Sequence, residues 1–153
     1  EMGMYSRILV PIDGSATAQR GLEEAFALAK KLDSALVLLH VVESYPMMVE
    51  VATTTVWEQM WADLRAHGKT VLDRAHEAAV AKGIASECHL EDAMATRVCD
   101  VIVKQARDHH CDLIVMGTHG RRGLDHALMG SDAEGVARLS PIPLLLVRSA
   151  DRT

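Results

Sequence analysis

Short apolar runs alternate along this chain with longer stretches in which apolar residues return every three or four positions. Arg7-Ile-Leu-Val-Pro-Ile12 stays apolar until Asp13-Gly14-Ser15, which predicts a strand buried on both faces and then a turn. From 16 to about 33 the period is helical. Ala18, Leu22, Ala25, Phe26, Ala29 and Leu32 share a stripe largely opposite Arg20, Glu23, Glu24, Lys30 and Lys31, with Ser15 as N-cap. Gly21 inside this helix costs roughly 1 kcal/mol relative to alanine. A second buried strand is expected over 35–42, and a loop carrying Pro46 from 43 to about 54. A long helix from about 55 to 82 then has Val56, Met60, Leu64, Val71, Ala75 and Ala78 inward and Gly83 closing it. An alternating strand over 84–90, a helix over 93–109 with Val98, Ile102 and Ala106 inward, and a strand over 112–116 follow. After a glycine-rich loop come a helix from about 131 to 139 and a last strand over 141–147, with Ser140-Pro141 at the turn between them.

Strands that alternate with helices imply a parallel sheet covered on both faces. In such sheets ligands bind beyond the carboxyl ends of the strands, where strand order reverses. Asp13-Gly14-Ser15 and the segment opening at Gly117 both follow strands and both carry polar and glycine chemistry. If the first and fourth strands are neighbours, these segments face each other.

Composition narrows the possibilities. The chain has 153 residues, enough for one core and one domain. Aromatics make up 3%, so Val, Leu, Ile, Ala and Met must build that core. A formal charge of −5 provides no positive field for DNA or RNA, and no nucleic-acid partner is expected. Cys88, Cys99 and Cys111 are odd in number and lack paired-ligand spacing, which reads as free thiols in a reducing compartment. No signal peptide and no membrane-length apolar run is visible, so a cytoplasmic protein without a membrane partner is expected. The domain is expected over 4–149, with residues 1–3 as a lead outside it.

The loop reads Gly117-Thr-His-Gly120-Arg-Arg-Gly123-Leu-Asp-His-Ala-Leu-Met-Gly130-Ser131. Gly117, Gly120 and Gly130 permit close approach of the backbone to phosphate oxygens. Gly130-Ser131 stands directly before a helix, whose first N–H groups attract anions. Ser131 adds a hydroxyl donor, and Arg121 and Arg122 add positive charge. Gly-x4-Gly-Lys-Ser/Thr is absent, as is Gly-x-Gly-x-x-Gly after the first strand, so neither a P-loop nor a dinucleotide dehydrogenase is indicated.

Gly117, Gly120, Gly130 and Ser131 resemble, position by position, the Gly-x2-Gly-x9-Gly-Ser/Thr motif of the universal stress protein family in its ATP-binding branch. The segments 8–15, 39–42, 112–117 and 143–147 read like that family's strands. The resemblance implies an open five-stranded parallel sheet of order 3-2-1-4-5 with helices on both faces, Rossmann-like in the manner of adenine nucleotide alpha hydrolases. It also implies a site for ATP, ADP or AMP, commonly with Mg²⁺ or Mn²⁺. Asp13 would contact the ribose or lie near the metal-bound phosphates, Val41 would offer backbone groups to adenine, and Pro11 would belong to the same nucleotide site. Met116 and Gly117 would line base and ribose, and Gly120, Arg121, Gly130 and Ser131 would hold phosphate. The family usually forms homodimers by antiparallel pairing of the last strand, here Leu144 to Val147, an apolar edge that otherwise needs protection. A dimeric stress-response sensor or regulator is the implied role.

Asp132 departs from the small apolar residue usual after Gly-Ser. A first-turn carboxylate stabilises its helix by about 0.3–1 kcal/mol but repels a nearby triphosphate unless it faces away or holds a cation. Three readings therefore stay open: a nucleotide-binding regulator, a slow ATPase or self-phosphorylating enzyme, and an interaction module whose site Asp132 has disabled. No catalytic constellation is visible, and an enzyme is not the expectation. Plainer roles also exist. The loop glycines serve as turn residues, Asp13 as a strand-ending cap, Val41 and Met116 as core, His40 as a hydrogen-bonded core histidine and His119 as a loop residue. Adjacent His109-His110-Cys111 cannot easily close on one metal, and no metal centre is expected from the spacing. Met47, Met48, Trp57, Met60 and Trp61 read as anchors at the loop-to-helix junction.

Overall fold

The computed structural model of the protein describes residues 3–44, 53–119 and 129–149. Five strands, β1 (Arg7–Pro11), β2 (Ala35–Val42), β3 (Ser86–Asp92), β4 (Leu113–Gly117) and β5 (Leu144–Val147), form one sheet of order β3-β2-β1-β4-β5 with every pairing parallel. The helices between them are α1 (Ala16–Leu32), α2 (Thr54–Ala81), α3 (Val98–Asp108) and α4 (Ser131–Leu139). The expected α/β class and strand order are those observed.

The chain first winds outward from β1 to β3, then returns to lay β4 against the other side of β1. Right-handed crossovers then put α1 and α2 on one face and α3 and α4 on the other. Alternate residues of each buried strand serve the two layers. Ile8, Val10, Leu36, Leu38 and Val115 pack with Leu22, Phe26, Leu72 and Ala75. Leu9, Val37, Leu39, Ile114 and Met116 pack with Cys99, Ile102, Ala133 and Val136. Ile8, Leu9 and Val10 are all fully buried, as a strand covered on both faces requires.

Several boundaries differ from the sequence reading, each for a local reason. The helix expected from 93 begins at Val98. Ala93 N–H still donates to Val42 O at 2.9 Å, and Asp100 accepts from the Arg97 backbone N–H, which makes Arg97 the N-cap. The last strand begins at Leu144 instead of 141. Pro141 and Pro143 bring no N–H, and the Ser140 hydroxyl accepts from Ile142 N–H in a tight turn. The strand expected from Ile84 starts at Ser86. Leu32 and Val56, expected inward, are exposed, and the buried stripe of α2 is Gly68, Leu72, Ala75 and Ala79. The amino half of α2 projects past the core, so its period reports a face the sheet does not cover. Ser15 caps α1 as expected, accepting from Ala18 N–H. The loop expected at 43–54 falls mainly outside the described residues.

Gly21 now has a reason. A Cβ there would stand 3.1 Å from the Gly117 nitrogen, and one on Gly117 would stand 2.7 Å from Thr17 O. Helix α1 thus crosses β4 glycine to glycine, and the helix propensity lost at Gly21 is offset by this close packing.

Candidate functional site

Three strand ends and one helix start converge at the carboxyl edge of the sheet. Parallel β1 and β4 are neighbours whose outgoing connections run to opposite faces, so the chain opens a crevice between them. Ile12 N–H reaches Leu39 O at 2.8 Å, after which the chain leaves the sheet. The Asp13 carboxylate accepts from Ser15 N–H at 2.9 Å, closing the turn that launches α1, and Gly14 takes φ +83°. On the β4 side, Thr118 N–H donates to Val147 O, and Thr118 O accepts from Gly130 N–H at 2.7 Å. That last bond fastens the start of α4 to the end of β4. A Cβ on Gly130 would lie 2.9 Å from the same oxygen. Gly130 is the N-cap of α4 and has no side chain to occupy the helix's first N–H groups.

The resulting cleft encloses about 180 Å³, far more than one water needs. It is lined by Pro11, Asp13, Val41, Met116, Gly117, Gly130, Ser131 and Asp132, with Ala18, Leu39, Val98 and Ile102 among its apolar walls. All eight of the expected site residues that the structure describes therefore share one cavity, though they come from four separate segments of sequence. Gly120 and Arg121 lie outside the described residues.

Sequence reasoning missed part of this wall. His67 and Leu64 of α2 line the cleft, as do His40, Glu43, Thr118 and His119. His40 is a buried, hydrogen-bonded histidine as expected, its Nδ1 2.8 Å from Ile12 O, yet its ring also faces the cavity and meets His67 edge-on. Nothing in the period of α2 marks His67, because only packing decides which polar residue of a long helix looks into a pocket.

Asp13, Glu43 and Asp132 give the described lining three carboxylates. The amino end of α4 and the histidines His40, His67 and His119 share the lining with them, and the helix end favours an anion. The cysteines offer no nucleophile. Burial, aided by Asp73, pushes the Cys88 thiol up. Burial also raises Cys99, where Asp132 adds to the effect, and lifts Cys111 to about 11. All three stay protonated at neutral pH. Among the described residues no helix is long and apolar enough to cross a membrane.

This fold and cleft define a doubly wound parallel α/β domain, and comparison with known proteins says which. The chain belongs to the universal stress protein family, whose model matches residues 4–148. A universal stress protein of Methanocaldococcus jannaschii is 30% identical over 145 residues, covering 95% of this chain and 83% of that protein. The solved structure of the hypothetical protein MJ0577 superposes with a TM-score of 0.83 at 27% identity, covering 97% of this chain and 99% of the other. That of the Archaeoglobus fulgidus universal stress protein in complex with dAMP shares the fold, with a TM-score of 0.66 at 22% identity over 94% and 98% of the two chains.

Proposed function

We propose that this protein binds an adenine nucleotide, ATP with Mg²⁺ or Mn²⁺, in the crevice between β1 and β4, and that it serves as a dimeric stress-response sensor or regulator. The observation that carries the reading is the meeting of Asp13, Val41, Met116, Gly117, Gly130 and Ser131 in one cleft at the point where strand order reverses. Val41 offers backbone groups to the base, and Met116 and Gly117 flank base and ribose. Ser131 and the open first turn of α4 take phosphate, joined by Gly120 and Arg121 of the preceding loop. Asp13 faces the ribose or the cation. The dAMP carried by the Archaeoglobus protein, a relative at the level of fold, makes an adenine monophosphate the comparison ligand.

The test is calorimetric titration of nucleotide-stripped protein with ATP and AMP, with and without Mg²⁺. Ser131→Ala is a cleaner control than a Gly130 variant, whose new Cβ would strike Thr118 O. Loss of a hydrogen bond to a charged group costs about 1.5–3 kcal/mol, so Ser131→Ala should weaken ATP about 10- to 100-fold. No binding of any adenine nucleotide at millimolar concentration would sink the proposal.

The acidic lining also favours a second reading, an interaction module closed to nucleotide by Asp132. Under it the parent binds nothing and Asp132→Val restores affinity.

Dimerisation is proposed through β5, an edge strand whose Leu145 is 38% exposed. Leu145→Lys should turn a sedimenting dimer into a monomer. A parent that already sediments as a monomer at micromolar concentration would end that proposal.

A further inference from the structure

A second cluster lies on the far edge of the sheet and shares no residue with the cleft. Glu87 and His89 stand two residues apart in β3 and so point to one face. Their register partners on β2 are Val37 and Leu39, which belong to the layer under α3 and α4. His109 follows directly on α3 and reaches the same place. Glu87 Oε1 lies 3.4 Å from His89 Nε2 and 3.8 Å from His109 Nδ1. One ligand atom from each residue lies within 4.8 Å of both others. The two imidazoles stack with centroids 3.8 Å apart. Residues His110 and Cys111, adjacent in sequence, are not part of the group.

Two further observations aim these side chains at a common centre. His109 Nε2 lies 2.9 Å from Oε1 of Gln105, which is 7% exposed. A carboxamide oxygen only accepts, so Nε2 carries the proton and Nδ1 turns its lone pair toward Glu87. A partner of this kind orients a metal-ligating histidine. The second is His89 Nε2, which is buried and faces Glu87 Oε1 at 3.4 Å without a well-aligned hydrogen bond among the described residues. Buried polar atoms ordinarily find such a partner.

Arg7 sets the character of the site. Its Nε donates to His109 O at 2.8 Å, and its Nη2 donates to Glu87 Oε1 at 2.6 Å. The guanidinium ties strand β1 to both ligand segments and draws off part of the carboxylate's charge. That disfavours ions that depend on oxygen ligands, such as Mg²⁺ and Ca²⁺, and leaves two imidazoles as the main donors.

From this geometry we infer that Glu87, His89 and His109 form a site for a divalent transition-metal ion that prefers imidazole, with Zn²⁺ as the representative ion and water completing the shell. Zinc–nitrogen bonds of about 2.0–2.1 Å place ligand atoms about 3.3 Å apart. The separations of 3.4 and 3.8 Å from Glu87 Oε1 to the two imidazole nitrogens lie near that value. The site is independent of the nucleotide proposal.

The experiment is a zinc titration of untagged, chelator-treated protein against a colorimetric competitor, without nucleotide. The parent should bind one equivalent, and so should His110→Gln, a control at the exposed neighbour of His109. Glu87→Gln, His89→Gln and His109→Gln should each weaken binding tenfold or more. Gln105→Leu, which keeps the ligands but removes their orienting partner, should weaken it about 10- to 100-fold. Thermal melts without zinc check folding, and added zinc should raise the melting temperature of the parent but not of a folded His89→Gln/His109→Gln variant. Zinc binding that the three ligand variants leave unchanged overturns the inference, as does a parent that binds no more tightly than the double variant. Neither result bears on ATP affinity, which is read separately.

Discussion

Gly117→Val is expected to destabilise the domain by about 3 kcal/mol, the upper end of the range for overpacking. A Cβ at 117 meets Thr17 O and Cγ2 at 2.7 Å and the Thr17 carbonyl carbon at 2.8 Å. Two of these atoms are helix backbone, which cannot rotate aside as a flexible side chain can. From the other side, a Cβ added at Gly21 would stand 3.1 Å from the Gly117 nitrogen, so the contact leaves little slack. Relief requires α1 to lift from β4, uncovering Leu22, Ala25 and Val115. At about 2–4 °C per kcal/mol for a domain of this size, the melting temperature should fall by about 6–12 °C. Because Gly117 and Ala18 also line the cleft, the nucleotide affinity proposed for it should fall as well. Urea denaturation of the variant measures the effect, and a loss under about 1 kcal/mol would mean that the helix-to-strand contact is looser than these distances.

Asp112→Ala is expected to cost a similar amount, about 3 kcal/mol. Its two carboxylate oxygens accept from the backbone N–H groups of Ser6 at 2.9 Å and Arg7 at 3.0 Å, with the Ser6 hydroxyl 3.3 Å away. Its own N–H donates to Arg7 O at 2.9 Å. The residue therefore locks the entry of β1 to the entry of β4, neighbours whose ladder is otherwise short. Charge-assisted hydrogen bonds contribute about 1.5–3 kcal/mol each, and partial exposure lets water replace some of that. Asp112→Asn, which keeps one accepting oxygen, should lose about half as much. Thermal melts of the two variants give the ordering, and amide exchange at Ser6 and Arg7 should accelerate in the alanine variant. An asparagine variant as damaged as the alanine variant would argue against the two-oxygen arrangement.

The element order was legible because apolar runs and helical periods are local properties, and β2 and α4 stand where their patterns put them. Boundaries failed where a capping or turn interaction outranked the apolar period: Asp100 starting α3 late, and Ser140 with two prolines delaying β5. The two glycines flanking the site were read as serving a ligand. The structure gives each a packing reason as well, Gly117 against Thr17 and Gly130 against Thr118.

By itself the sequence determined the class of fold, the identity of the crevice-forming segments and the free state of the thiols, all consequences of residue type and spacing along one stretch of chain. Tertiary structure alone decided that His67 of α2 joins the cleft and that Gly21 and Gly117 must both lack a side chain. It also decided that Glu87, His89 and His109 meet, with Arg7 between them. These residues lie far apart along the chain or on faces that no period distinguishes. They become neighbours only when parallel strands bring distant segments into register and helix packing chooses which side of each turn is covered.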